Sequence, residues 1–216
     1  RELRDSGRQA NLAGGYGFRR GDDAIAALFA SDVAWQGDVL LDLSRVYTLD
    51  GGDISIMAPG GILNAGLASV PLTLPESVRD EKGKPANLGI VAQGTGAVRV
   101  FTGGDVLVNQ SRIFTLQGGD ILIWSSHGDI DAGRGSKSAI SAPPPTITVD
   151  PETGAISVAF ADAIAGSGIR GILVRDDVPP GDVDLVAPTG SVNAGDAGIG
   201  SAGNLNIAAP QVVGLD

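Results

Sequence analysis

The stretch that decides the fold is Gly119–Gly133, which reads GDILIWSSHGDIDAG. Ile121 and Ile123 point to the same side of an extended chain, because side chains along a β-strand alternate with a period of two. Gly128 permits a turn with positive φ, which glycine adopts more easily than any other residue. Ile130 then points inward again. The pattern predicts two short strands that are joined by a tight corner.

The same pattern occurs three times in the chain. Residues 37–69 and 104–136 align without a gap at an offset of 67 residues, and 17 of the 33 positions are identical. A partial third copy at 181–195 aligns with 119–133 at an offset of 62. The copies share G-D-[IV]-x-[ILV]-x-x-x-x-G-x-[ILV]-[ND]-A-G. Internal repeats of this kind are typical of solenoids and other stacked architectures.

Strands this short cannot bury a hydrophobic face by themselves, but strands stacked rung on rung share one continuous core. We therefore predict an all-β fold, a right-handed parallel β-helix (β-solenoid) that forms one segment over 1–216. The main rival is an antiparallel sandwich, which usually has more aromatic residues and hairpin turns between most strands. Aromatic residues make up only 4% of this chain.

Four segments depart from the repeat. Asp22–Phe29 is predicted to be a short N-terminal helix with Asp22 as its N-cap. Residues 146–160 are predicted to form a protruding hairpin, because two alternating runs flank a turn-rich stretch. A charged loop is expected at 77–87, and a stiff proline connector at 142–145.

The repeat assigns residues to the core and to the corners. The expected core residues are Ile54, Ile56, Leu63, Ile121, Ile123, Ile130, Val183, Leu185 and Val192. The expected corner residues are Gly52, Asp53, Gly104, Asp105, Gly119, Asp120, Gly128, Gly133, Gly181, Asp182, Gly190 and Gly195. In each G-D pair, including that of Asp38, we expect the carboxylate to accept the backbone N–H two residues further on.

Composition excludes several classes of function. The formal net charge is −10 and the pI is about 4.4, so an acidic surface would repel nucleic acid and anionic lipid. The sequence contains no apolar run near the roughly 18 residues that a membrane span needs. Cysteine is absent, which excludes disulfides, thiolate metal sites and a cysteine nucleophile. Residue 1 is Arg and no signal-peptide pattern follows, so we expect the start to be a processing site, a cloning boundary or the edge of the ordered part.

The candidate chemical groups each have a structural explanation. Asp129 and Asp131 share an outward face and are candidate Ca²⁺ ligands or acid–base groups. The first copy has Ile62 and Asn64 at those positions, which favours turn chemistry and a solvated acidic wall. His127 follows two serines and invites comparison with a catalytic triad. Because it aligns with a glycine of the first copy, we expect it at an exposed turn. No cofactor or metal is predicted.

Two further features of the sequence also have a structural explanation. Residues 198–203 match G-x-G-x-x-G, but the alternating run that follows indicates a strand instead of the helix that a dinucleotide site needs. Trp35 and Trp124, with Tyr47 and Phe114, are expected to pack in the core or at rung ends. Exposed aromatic rings at these positions would instead suggest stacking on sugars.

Several of these runs resemble the conserved C-terminal region of large filamentous haemagglutinin-like exoproteins. The resemblance covers most of the chain and is strongest at 37–137 and 181–209. The runs that carry it are Ser111–Thr115, Gly118–Ile121, Trp124–Ser126, Gly128–Gly135, Gly181–Pro188 and Asn193–Ile199.

The resemblance implies an extracellular or cell-surface protein that crosses the outer membrane through a two-partner secretion pore. It also implies a structural and adhesive role in surface fibres or biofilm matrix, without catalysis. We expect a homo-oligomer formed by end-to-end stacking, or binding to a host or cell-surface glycan or receptor. We expect no nucleic-acid partner and no membrane insertion. Two alternatives stay open: a non-catalytic carbohydrate- or receptor-binding module, and a β-helix polysaccharide lyase or hydrolase.

Overall fold

The computed structural model describes residues 18–29, 35–69, 73–76, 88–135, 146–149, 151, 153, 156–159, 166–174 and 177–215. The predicted hairpin lies partly within these residues, whereas the predicted loop at 77–87 and the connector at 142–145 lie outside them. The elements are α1 (Arg19–Leu28), β1 (Val39–Leu40), β2 (Arg45–Thr48), β3 (Ile54–Ala58), β4 (Leu63–Asn64), β5 (Gly89–Ala92), β6 (Val98–Thr102), β7 (Val106–Leu107), β8 (Arg112–Thr115), β9 (Ile121–Ser125), β10 (Ile130–Asp131), β11 (Thr146–Val149), β12 (Ile156–Ala159), β13 (Gly168–Gly171), β14 (Val183–Val186), β15 (Ser191–Asn193), β16 (Ile199–Ser201), β17 (Leu205–Ala208) and β18 (Gln211–Val213).

The strands form three parallel sheets, which the chain visits in turn. Sheet 1 has six strands in the order β1-β4-β7-β10-β15-β18. Sheet 2 has the order β2-β5-β8-β13-β16, and sheet 3 has the order β3-β6-β9-β14-β17. Each rung therefore contributes one strand to each sheet, as in a parallel β-helix. The prediction of an all-β parallel solenoid with one short helix is confirmed. The right-handed sense stays a prediction, which rests on the general rule for parallel crossovers.

The 67-residue offset between the two long copies corresponds to two rungs. In sheet 1, Val39 pairs with Leu63, Leu63 with Val106, and Val106 with Ile130. The middle step spans 43 residues and each outer step spans 24, so one long and one short step together give the offset. The 62-residue offset is a single rung, since Ile130 pairs directly with Val192. Rungs of about two dozen residues are thus lengthened where segments are inserted between sheets 1 and 2.

The three sheets enclose one aliphatic core. Each sheet contributes an inward row, of which Leu63, Ile113 and Ile123 are fully buried members. Ile54 is buried, and Ile56 is partly buried against the same core at the first rung. The other predicted core residues are fully buried: Ile121, Ile130, Val183, Leu185 and Val192.

The two predicted excursions are present, with one correction. β11 and β12 pair antiparallel, from Thr146 with Ala159 to Val149 with Ile156, so the hairpin is confirmed. The predicted helix is also present, but its N-cap is Phe18 and not Asp22, and no side-chain hydrogen bond caps it. Asp22 lies within the first turn, where a negative charge favours the helix dipole. Within the described ranges, no helix has the length and hydropathy that a bilayer span requires.

The corner glycines are needed chiefly for contact between rungs. Gly133 and Gly195 have positive φ angles of 91° and 55°. Gly128 does not, so the prediction of positive φ there is wrong. A Cβ on Gly128 would instead lie 2.4 Å from Oδ1 of Asp105 in the preceding rung. On Gly181, a Cβ would lie 2.2 Å from a backbone oxygen of Gly119, so the stacked corners approach too closely for any side chain.

Candidate functional surfaces

The aspartates of the G-D pairs tie one rung to the next. Oδ1 of Asp120 accepts the backbone N–H of Asp182 at 2.9 Å, and Oδ1 of Asp182 accepts that of Asn204 at 2.8 Å. Equivalent bonds join Asp38 to Ile62, Asp53 to Ala97 and Asp105 to Asp129. The predicted acceptance from the N–H two residues on is therefore wrong for Asp38, Asp53, Asp105 and Asp120. The adjacent rung brings a backbone N–H within reach of each of these carboxylates.

At the corner that follows sheet 1, an Asx side chain does accept the backbone N–H of the residue two positions further on. There Asp131 accepts the N–H of Gly133 at 2.7 Å, and Asn193 accepts that of Gly195 at 2.9 Å. Asn64 makes the equivalent bond to Gly66 at 3.2 Å. The G-D aspartates before sheets 1 and 3 thus bind a backbone N–H of the next rung, whereas the Asx residues after sheet 1 bind an N–H of their own corner.

The Asp129 and Asp131 pair belongs to this rung-to-rung bonding. Oδ1 of Asp129 accepts both the N–H and the hydroxyl of Ser191, at 2.6 and 2.9 Å. Oδ2 of Asp131 lies 3.4 Å from the amide nitrogen of Asn193. Across the described ranges, no group of three or more acidic, histidine or cysteine residues is placed to hold a metal ion. These carboxylates therefore act in the structure as links between strands.

The serines beside His127 are engaged in holding the corner. Oγ of Ser125 donates to the carbonyl of Gly104 and accepts the N–H of Gly128. Oγ of Ser126 accepts the indole N–H of Trp124 at 3.1 Å. His127 is exposed, and its backbone N–H donates to the carbonyl of Gly103. The geometry shows corner bonding where a triad would need a serine hydrogen-bonded to the imidazole.

Among the residues that the structure describes, Asp53 and Arg112 have shifted pKa values. The guanidinium of Arg99 donates a hydrogen bond of 2.6 Å to Asp53, and together with the N–H of Ala97 it lowers the pKa of that carboxyl. Burial lowers the pKa of Arg112 to about 10, because removal from water disfavours the charged guanidinium. The Asp53–Arg99 pair is an exposed contact between rungs. Arg112 is buried, so the outer wall is covered where it lies.

The two tryptophans lie in opposite environments. Trp124 is 1% exposed although it points away from the solenoid core, because Phe18 packs edge-on against it at 6.0 Å. Trp35 is 48% exposed and contacts Phe29 edge-on at 5.8 Å. Packing therefore describes Trp124, whereas Trp35 presents an accessible ring near the first rung.

Sequence reasoning missed the surface on which Trp124 lies. The outward side chains of sheet 3 form two register rows, and we call one of them the outer stripe: Met57, Phe101, Trp124, Val186 and Ala208. All five are apolar, and α1 packs across the row. The signal in the sequence was the replacement of an alternating polar position by an apolar residue in each strand, but its meaning depended on strand register.

Both ends of the described solenoid have open strand edges. At one end, Leu40, Tyr47 and Met57 are exposed on β1, β2 and β3. At the other, Leu205 on β17 and both Val212 and Val213 on β18 are exposed. Sheet 1 has one strand more than the other sheets, so β18 projects one strand beyond β16 and β17.

Comparison with known families agrees with this architecture. Residues 118–216 match the family model described as filamentous haemagglutinin family outer membrane protein. The predicted family resemblance is confirmed for this part of the chain. The matched range extends from the corner before β9 to β18 and includes the hairpin. The description supports a secreted or cell-surface protein. No curated protein and no solved structure matches the chain significantly.

Proposed function

We propose that this chain is a non-catalytic structural and adhesive module of a bacterial surface exoprotein of the filamentous haemagglutinin type. The observation that carries the proposal is the stack of parallel rungs around one core, in a chain whose residues 118–216 match this family. Side-chain bonds such as Asp105 to Asp129 add rung-to-rung links at the corners. A stack of this kind is stiff, because each strand is hydrogen-bonded to its neighbours along the axis.

The proposed mechanism is mechanical. Six strands in sheet 1 give five inter-strand steps, or about 24 Å along the axis at roughly 4.8 Å per step. Such a unit serves as one segment of a longer rod, whose acidic wall forms the contact surface. The proposed setting is the extracellular face of the outer membrane, after export through a two-partner secretion pore. Retention of the folded chain on the surface of cells that co-express such a pore would test the export route.

We further propose that the open ends are the sites of end-to-end contact. Unpaired parallel edges recruit further strands unless they are capped. The end of a second copy provides three parallel edges in the same arrangement, and the contact is heterologous, so it can propagate into a filament. The extra strand β18 means that an approaching β1 must either pair with β18 or replace it.

Electron microscopy of the purified protein tests this contact. We expect filaments with an axial repeat of about 4.8 Å. Val212→Lys places a charge on the open edge of β18 and should shorten or abolish them. His127→Lys adds a charge at an exposed lateral corner and should leave them intact. Monomers at every concentration would refute end-to-end assembly, and compact particles without an elongated axis would refute the rod itself.

A second candidate, carbohydrate binding, rests on the exposed aromatic residues near the first rung. Trp35 is 48% and Tyr47 is 39% exposed, and the guanidinium of Arg45 lies 4.4 Å from the tyrosine ring centroid. Exposed aromatic rings can form a carbohydrate-binding site by stacking on sugar rings. A glycan array should then show binding that Trp35→Ala abolishes and Trp35→Phe retains. Binding unaffected by Trp35→Ala would remove this candidate.

The absence of catalysis is also a proposal. Incubation with acidic polysaccharides should release neither reducing nor unsaturated ends. Release that disappears in an Asp129→Asn and Asp131→Asn double variant would instead favour the lyase or hydrolase alternative.

A further inference from the structure

The outer stripe of sheet 3 is an apolar surface on the outside of the solenoid. Successive members pair in register across five rungs, from Met57 through Trp124 to Ala208. They alternate with the inward residues of the same strands, such as Ile123 and Leu185, which belong to the main core. The stripe therefore forms a second apolar cluster that is separated from the first by the sheet itself.

Helix α1 is the cover of this stripe. Phe18, Gly21 and Ile25 lie three and four residues apart, which places them on one face of the helix. Phe18 is 6% exposed and packs against Trp124, and Ile25 packs against the same cluster. Val186, at the next rung, is 3% exposed. The helix thus covers the third and fourth rungs, whereas Met57 at the first rung stays 51% exposed.

Gly21 sets how closely the helix approaches. A Cβ on Gly21 would lie 2.2 Å from Cη2 of Trp124 and 2.8 Å from Cζ3. A hydrogen bond fixes the indole ring, since its N–H donates to Oγ of Ser126. Any side chain larger than hydrogen at position 21 must therefore push the helix away from the ring.

The helix depends on this contact for its own stability. It has ten residues and includes a glycine, whereas isolated helices shorter than about 12–15 residues are marginal in water. No side-chain hydrogen bond caps its N-terminus, and its last turn has no basic residue. Helix formation and docking are consequently one event. The hydrogen bonds of the sheets and the inward core do not take part in it.

We propose that α1 is a releasable clasp, which docks onto the outer stripe through Gly21 and Trp124 and can leave it without opening the solenoid. Residues 35–38 connect to β1 at the first rung, whereas α1 docks beside the third and fourth. A pull on the N-terminal side therefore loads the clasp before it loads the first rung. Release uncovers Trp124 and Val186, which together with the partly buried Phe101 form a lateral apolar surface. The proposal holds whether or not the chain builds fibres.

Tryptophan fluorescence tests the contact, because the chain has only two tryptophans. In a Trp35→Phe background, Trp124 is the sole emitter, and we expect blue-shifted emission that acrylamide quenches poorly. Adding Gly21→Ala should shift the emission to the red and expose the ring to quencher, although alanine is the better helix former. The matched control is Gly200→Ala, because a Cβ there meets no atom within 4 Å. This control should keep the emission of the background.

Hydrogen exchange of the unmodified full chain tests whether release is local. We expect α1 amides to exchange at least about tenfold faster than those of β9, with little dependence on denaturant. In Gly21→Ala, α1 protection should disappear while β9 protection persists. The clasp is refuted if Gly21→Ala retains buried Trp124, or if α1 and β9 exchange together under all conditions. If dimers appear when α1 is released, α1 docks on the outer stripe of a second copy. That result would refute the intramolecular clasp. If Gly21→Ala fails to fold, the comparison of α1 and β9 exchange in the unmodified chain still tests whether α1 is released on its own.

Discussion

The two long copies of the repeat are identical at 17 of 33 positions but have different surroundings. Tyr47 in the first copy is 39% exposed, whereas Phe114, its equivalent 67 residues on, is completely buried. Met57 is 51% exposed, whereas its equivalent Trp124 is 1% exposed. The first copy begins at the terminal rung, and the second lies in the middle of the stack. Burial in this solenoid is therefore decided by rung position and by what covers the outer wall, and not by the local motif.

The aromatic pair gives the largest expected difference between the copies. Phe114→Ala should lower the free energy of unfolding by about 3 kcal/mol, because it empties a fully buried site between Leu116, Val91 and Ile172. Tyr47→Ala should cost less than about 1 kcal/mol, because the ring is already partly in water. Urea denaturation of both variants measures the difference. Equal losses would mean that the terminal rung is as well covered as the central one.

The sequence was sufficient for the period-two core and for the corners. The positions of Ile121, Ile123 and Ile130 are aliphatic in each copy, and side-chain alternation alone assigns them to the inside. It was not sufficient for the partners of the corner carboxylates. Asp120 accepts from Asp182, 62 residues further on, and that pairing depends on an inserted segment whose length does not appear in the motif. A local sequence pattern shows which side chains point into the core. Contacts between rungs can be predicted only when the pairing register of the strands is known.

The same limit explains the helix. The sequence indicated a helix near Asp22, but nothing in that segment pointed to Trp124, which lies about one hundred positions away. The contact becomes visible only when β6, β9 and β14 are aligned and their outward residues form a row. Trp124 was expected to pack in the core or at a rung end, and it is buried, but neither its place on the outer wall nor the helix that covers it was foreseen.

The rung-to-rung bonds give a smaller difference. Asp120→Ala removes the acceptor of the Asp182 N–H at a central rung and should cost about 1 kcal/mol. Asp38→Ala removes the equivalent bond to Ile62 at the terminal rung and should cost less. Asp120→Asn keeps an acceptor oxygen and removes a negative charge beside Asp182, so it should be close to neutral. A loss in Asp120→Asn as large as in Asp120→Ala would show that the charge, and not the hydrogen bond, is what matters.

The smallest expected effect sharpens the comparison between Asp53 and Asp120, which occupy equivalent positions. Of these two residues, only Asp53 forms an ion pair among the described contacts. Its partner is Arg99 at 2.6 Å, and the side chains of Asp53 and Arg99 are each about half exposed. Exposed pairs contribute little, so Arg99→Ala should cost no more than about 0.5 kcal/mol at pH 7.

Because the folded pKa of Asp53 lies below its ordinary value of 3.8, this stabilisation is present above that pH and is lost as the pH falls through the folded value. The difference between wild type and Arg99→Ala should therefore shrink below about pH 4 and also in high salt. Arg20→Ala, which removes the same charge from the exposed side of α1, should show no such pH dependence. A difference that persists at pH 2 and in molar salt would assign the effect of Arg99 to the packing of its aliphatic stem across the first two rungs, and the terminal rung would then be held by apolar contact in the same way as the central ones.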